Sequence, residues 1–128
     1  MTNIKAIILD LDGVVIGTKD GYNFPNPHPT VIKRLQEIKN SGIPISLCTA
    51  KYHYSINKII EQTKLDNLHI TDNGVVIVDT KKDKIQAKKI IEKKVALQLL
   101  KEFGSQMYTE VFTVSNWYTK KLADKNFI

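Results

Sequence analysis

Asp10 and Asp12 stand two residues apart directly after the apolar run Ala6 to Leu9, and Gly13 follows them. In an extended chain, side chains two positions apart point the same way, so both carboxylates can converge on one ligand without rearrangement. Gly13 lets the backbone turn away at once and puts no side chain in the ligand's path. Two acids this close repel one another unless a cation sits between them or one holds a proton. A hard, oxygen-seeking cation such as magnesium answers that requirement. The other explanation is an aspartate pair capping a turn, since Asp is common at turns. Spacing alone does not separate the two, although the apolar run ahead of the pair weakens the turn explanation.

A strand must present such a pair. Ile4 to Leu11 is nearly continuous in apolar residues, the pattern of a strand buried on both faces of a parallel sheet. Gly13, Gly17 and Gly21, with Pro25, Pro27 and Pro29, then mark a long irregular loop. Val31, Ile32, Leu35 and Ile38 recur at helical spacing, which predicts a helix from about His28 to Ser41 that Gly42 stops. Ile43 to Leu47 reads as a second buried strand and ends near Thr49. Ile56, Ile59 and Ile60 mark a second helix running to about Leu65, and Leu68 to Ile70 a third, short strand. This order predicts a parallel α/β unit, whose ligands usually bind beyond the carboxyl ends of the strands. Asp10 and Thr49 both fall at such ends.

After Asn73-Gly74 the pattern changes. Val75 to Val78 and Lys84 to Ile90 predict a hairpin, Ile91 to Phe103 a helix stopped by Gly104, and Met107 to Tyr118 one further strand. The expected division is therefore residues 1–80 as the α/β part and 81–128 as an α+β module.

The chain of 128 residues has the size of one ordinary domain, with 42% hydrophobic and 25% charged residues. No apolar run approaches the roughly 20 residues that cross a bilayer. Ala6 to Leu9 is too short for a signal peptide and leads straight into acids. A single cysteine, Cys48, excludes an internal disulfide framework and fits a reducing, cytoplasmic setting. Within the net charge of +6, residues 1–79 balance at eight Lys/Arg against eight Asp/Glu, while residues 80–128 hold eleven against five. A solvated, lysine-rich face accounts for that excess. Few aromatics interleave the lysines and no zinc-finger or Arg/Gly-rich pattern occurs, so nucleic acid is not an expected partner.

Asp10-Leu11-Asp12-Gly13 after a hydrophobic strand resembles the first signature motif of the haloacid dehalogenase (HAD) superfamily. Thr49, ending Ile45-Ser46-Leu47-Cys48-Thr49, resembles the second, and the helix leading to Gly42-Ile43-Pro44 resembles the family's approach to that strand. Asp72-Asn73-Gly74 resembles the point where the Cof-type branch leaves its core for a cap. The resemblance covers residues 4–80 well and residues 81–128 only in general pattern. It implies an α/β, HAD-like Rossmannoid parallel sheet, incomplete here, followed by the start of an α+β cap. It further implies a phosphatase in which Asp10 attacks phosphorus and Asp12 protonates the leaving alcohol. Magnesium would be held by Asp10 and Asp12, the latter through its backbone carbonyl. Thr49, Gly13 and Ala50 would line the phosphate, and Lys51, His53 and Asn73 would meet the rest of a small phosphorylated substrate.

This chain departs from the family pattern at Ala50-Lys51, where the Cof branch usually has Gly-Arg; lysine keeps the charge but not the bidentate fork. No Gly-Asp-x-x-x-Asp occurs, Asp124 is a lone acid, and the third-motif lysine has no clear counterpart unless one of Lys81 to Lys94 reaches the site. The first strand would then keep an open edge, which invites pairing. The expectation is a homo-oligomer, or a chain whose C-terminal part lies elsewhere. Among the remaining residues, His28 reads as a helix cap, His69 as structural, Cys48 as an inert core thiol, and Trp117 and Tyr118 as core packing. Two rival functions stay open: a non-catalytic phosphate- or metal-binding remnant of the fold, and a receiver-like phospho-acceptor, against which Gly13 and Thr49 argue.

Overall fold

The protein was analysed as a computed structural model that describes residues 4–21, 23–82 and 84–119. Strand β1 (Ile7–Leu9) pairs in parallel with β2 (Ile45–Leu47), Ile7 opposite Ile45 and Leu9 opposite Leu47. Helix α1 (Pro29–Asn40) connects them. Its start is set by Pro29 at the first helical position and by His28, whose Nδ1 accepts the Thr30 N–H at 3.3 Å. Its end is set by Gly42, whose φ of 88° suits glycine. Helix α2 (Asn57–Thr63), preceded by a 3-10 turn at His53–Ile56, packs beside α1. Gln36 Nε2 donates to the Gln62 carbonyl at 3.1 Å, and Lys39 reaches both the Lys64 carbonyl and Asp66.

Leu11, Val15, Ile16, Leu35, Ile45, Leu47, Ile56, Ile59 and Leu65 form the core, with Ile7 and Leu9 packed against it. Those odd-numbered β1 residues face the helices; Ile8, on the opposite face, is 63% exposed. The strand is therefore buried on one face, not on both as its apolar run suggests, because no layer of described residues covers the Ile8 side. The same alternation corrects the expectation for Cys48. It lies between buried Leu47 and buried Thr49 and is exposed.

Strand β3 (Leu68–Thr71) joins β2 in parallel through a single bridge, Cys48 to Ile70, with Thr49 N–H donating to the Ile70 carbonyl at 3.0 Å. Its full ladder is antiparallel, to β4 (Val76–Asp79), which pairs in turn with β5 (Lys84–Lys88). The buried His69 ring fills the gap between β2 and β3: Nδ1 accepts the Leu47 N–H at 3.0 Å, and Nε2 donates to the Leu65 carbonyl at 3.2 Å. A side chain thus replaces the ladder bond that β2 lacks on this edge.

The compact units divide between Lys89 and Ile90, so β5 belongs with β3 and β4 rather than with the C-terminal module to which the 1–80 and 81–128 division assigned it. In the second unit, α3 (Lys93–Phe103) is closed by Gly104, whose N–H reaches the Leu100 carbonyl at 2.9 Å. The expected single strand from Met107 to Tyr118 is instead a hairpin of β6 (Glu110–Phe112) and β7 (Trp117–Thr119). Thr113 Oγ1 accepts the Asn116 N–H at 2.9 Å and folds the chain between them, the local competition with a ladder that Thr, Ser and Asn provide. Phe112 and Trp117 stack across the pair, their ring centroids 6.0 Å apart. Among the described residues no helix is long and apolar enough to cross a membrane.

Candidate active site

Past the end of β1 the strand alternation persists: Leu11 is wholly buried while Asp10 is exposed and Asp12 partly so. The two acids therefore share the side opposite the helices. The Leu11 carbonyl then accepts the N–H groups of Val15 and Ile16, both at 2.9 Å, and Gly13 N–H donates to the Ile16 carbonyl at 2.7 Å. This tight loop needs Gly13 at a φ of 79°, a left-handed conformation that costs other residues energy. Asp10 Oδ1 accepts the Leu11 N–H at 2.7 Å, and among the described residues its other oxygen has no partner.

The end of β2 meets this loop. Cys48 N–H donates to the Leu9 carbonyl at 2.8 Å, so Thr49 emerges one residue past the last bond between the strands. Thr49 is 5% exposed, and its Oγ1 accepts the Lys51 N–H at 3.2 Å, which leaves the hydroxyl proton free to donate. Lys51 Nζ lies 3.3 Å from Asp12 Oδ1 and links the two strand ends directly. Ala50 is exposed beside it. Within the run from Lys81 to Lys94, Lys82 is turned to Asp79 at 3.5 Å, at the end of β4 that pairs with Leu68 rather than with Thr71. Asp79 also takes Gln86 Nε2 at 2.9 Å, and that hydrogen bond, ahead of the nearby lysine, holds its carboxyl below the usual carboxylate range.

His53 and Asn73 are placed differently from one another. His53 turns inward, its Nδ1 3.5 Å from Asp72 Oδ2, while Asn73 is exposed in the turn after β3. Sequence reasoning gave Asp72 no role, yet its carboxylate accepts the His53 N–H at 3.1 Å and the Thr71 hydroxyl at 2.8 Å. Burial, then the charge of Asp72, raises the pKa of the neighbouring Tyr54 hydroxyl. The available signal was the Asp-Asn-Gly sequence itself, three residue types that tolerate left-handed turns, directly after an apolar strand.

The donor set for a metal is all oxygen: the Asp10 carboxylate and the Asp12 main-chain carbonyl, which accepts no hydrogen bond among the described residues. Magnesium commonly binds through one or two carboxylates and completes its shell with water and phosphate, so these groups fit it. Among the described residues no cluster of three or more Asp, Glu, His or Cys side chains adds to them.

Residues 7–127 match the family model of haloacid dehalogenase-like hydrolases. Over 117 residues the chain is 30% identical to phosphatase YwpJ of Bacillus subtilis (strain 168), a match spanning 91% of this chain and 39% of that protein. The structure of a haloacid dehalogenase-like hydrolase from B. subtilis superposes with a TM-score of 0.75 at 28% identity, covering 93% of this chain and 40% of that one. A phosphatase of the superfamily from Bacteroides thetaiotaomicron shares the fold, with a TM-score of 0.70 at 20% identity over 94% of this chain and 42% of the other. The chain thus spans about two fifths of the length of these relatives.

Proposed function

Because this chain belongs to the haloacid dehalogenase-like hydrolases, we propose that it is a magnesium-dependent phosphatase acting on small phosphorylated metabolites, with Asp10 as nucleophile. The observation that supports this most is the meeting of two strand ends, where Lys51 of the β2 end lies 3.3 Å from Asp12 of the β1 end, beside exposed Asp10. In the first step an Asp10 oxygen forms a bond to phosphorus as the ester P–O bond breaks, and Asp12 gives its proton to the leaving alcohol. In the second, Asp12 takes a proton from water as water displaces the Asp10 oxygen and releases phosphate. Thr49 donates its hydroxyl to a phosphoryl oxygen, and the backbone at Gly13 and Ala50 lines the same group. Lys51 turns from Asp12 to the incoming phosphate as a point charge, and exposed Asn73 flanks the remainder of the substrate, while inward-turned His53 stands behind Lys51 rather than against the substrate. Magnesium, when bound by Asp10 and the Asp12 carbonyl, offsets the charge of phosphate against carboxylate.

In this proposal the open edge of β1, paired only with β2 among the described residues, is taken up by a strand of a second copy or of further polypeptide. The setting is cytoplasmic and reducing, in keeping with the exposed thiol of Cys48.

A second reading is a phosphate- and metal-binding protein of the same fold without turnover. Hydrolysis of p-nitrophenyl phosphate with magnesium separates the two. Asp10→Asn is expected to lower turnover by at least about a thousandfold, as loss of a nucleophile does. Undiminished turnover in that variant would remove Asp10 from the role. Phosphate binding by wild type without hydrolysis would establish the second reading.

A further inference from the structure

Three consecutive residues after β3, Asp72, Asn73 and Gly74, have φ values of 53°, 54° and 86°. Two of them are not glycine, so surrounding contacts must hold the conformation against its cost. Several of those contacts run from Asp72 to the loop after β2. Its N–H donates to the Lys51 carbonyl at 2.8 Å, and its carboxylate accepts the His53 N–H at 3.1 Å, with the His53 ring 3.5 Å away. The Thr71 hydroxyl, at 2.8 Å, fixes the same oxygen. The side chains of His53 and Asp72 are 13% and 15% exposed, so this clasp is largely shielded from water.

The clasped segment is the one that carries Lys51. Its N–H is bonded to Thr49 Oγ1 and its Nζ lies against Asp12. We infer that Asp72 is a positioning residue: it grips the backbone on both sides of Tyr52 and thereby holds Lys51 over the Asp10–Asp12 pair, where it meets phosphate. The inference rests on the phosphatase reading only in placing phosphate beside Asp10. Asp72 itself touches neither substrate nor metal, and its effect passes through Lys51.

The test is equilibrium binding of inorganic phosphate, with magnesium present, to the full chain and its variants. Asp72→Gly removes the carboxylate but keeps a residue that adopts the left-handed turn freely, so it separates positioning from folding. It is expected to weaken phosphate binding about tenfold, the loss that follows removal of an outer partner of a ligand group. Asp72→Asn, which retains an oxygen acceptor and tolerates the turn, restores most of that affinity. Combined with Lys51→Met, Asp72→Gly adds no further loss beyond Lys51→Met alone, because both act on one interaction. Losses that multiply in the double variant, or wild-type affinity in Asp72→Gly, would overturn the inference while leaving the phosphatase reading intact. Absence of phosphate binding in wild type would instead defeat that reading, and the inference with it.

Discussion

At the scale of single residues, His69 ties the stability of the first unit to pH. Burial lowers its pKa, and its Nδ1 must stay unprotonated to accept the Leu47 N–H. In the unfolded chain the ring takes up a proton near pH 6.5. In the folded chain it does so only at lower pH. Between those points the unfolded state binds more protons, so stability falls as pH drops below about 6.5 and levels off once the folded pKa is passed. Urea titrations from pH 7.5 to 5 are expected to show this slope in wild type, and a lesser slope in His69→Leu. That variant also leaves the Leu47 N–H unpaired and is destabilised by about 1–3 kcal/mol at pH 7.5. An identical pH slope in both proteins would show that His69 is not the titrating group. The acids were legible in the sequence because their spacing alone sets their direction. His69 was legible as a structural residue from its apolar surroundings. Asp72 was not, since its partners, His53 and Lys51, lie on a different strand end some twenty residues away.

At the scale of elements, the β1 loop depends on the backbone of Gly13 rather than on space around it. An added Cβ would meet only the Thr18 methyl, at 3.9 Å, so Gly13→Ala isolates the conformational cost. It is expected to lower stability by about 1–2 kcal/mol. It should also weaken phosphate binding, because the loop aims Asp12; thermal denaturation together with phosphate titration checks both. Wild-type stability in Gly13→Ala would mean that the left-handed turn is not strained. Both crossover helices could be read from apolar spacing, and for α1 the signals at His28, Pro29 and Gly42 act locally. The hairpin at residues 110–119 could not, because β-branched and aromatic residues suit one long strand as well as two short ones. The Thr113 side chain, through its bonds to Asn116, helps break the tie. The antiparallel partner of β3 was hidden for a related reason: periodicity tells which face a strand buries, not which neighbour it pairs with.

At the scale of the molecule, the first unit carries every residue proposed to meet phosphate, yet among the described residues of that unit none covers the face of its parallel sheet away from the helices. Ile4 and Ile8 are 61% and 63% exposed there, beside a strand edge with no partner among the described residues. Sedimentation over a rising concentration range is expected to show species heavier than the 14.6 kDa chain. Ile8→Lys should shift them toward the monomer, since a charge on an exposed strand opposes pairing. A concentration-independent 14.6 kDa species in wild type would rule out a second copy as the partner of that edge. The apolar run of β1 suggested burial on both faces because a sequence records what a strand can bury, not whether this polypeptide supplies the second layer.

Phosphoryl transfer to Asp10 is the claim on which the proposed chemistry stands, and mass spectrometry of acid-quenched protein reads it most directly. After incubation with magnesium and p-nitrophenyl phosphate, one hydroxylamine-labile phosphoryl group is expected on the peptide containing Asp10, present in Asp12→Asn and absent in Asp10→Asn. The same group persisting in Asp10→Asn, or lying on another residue, would contradict it.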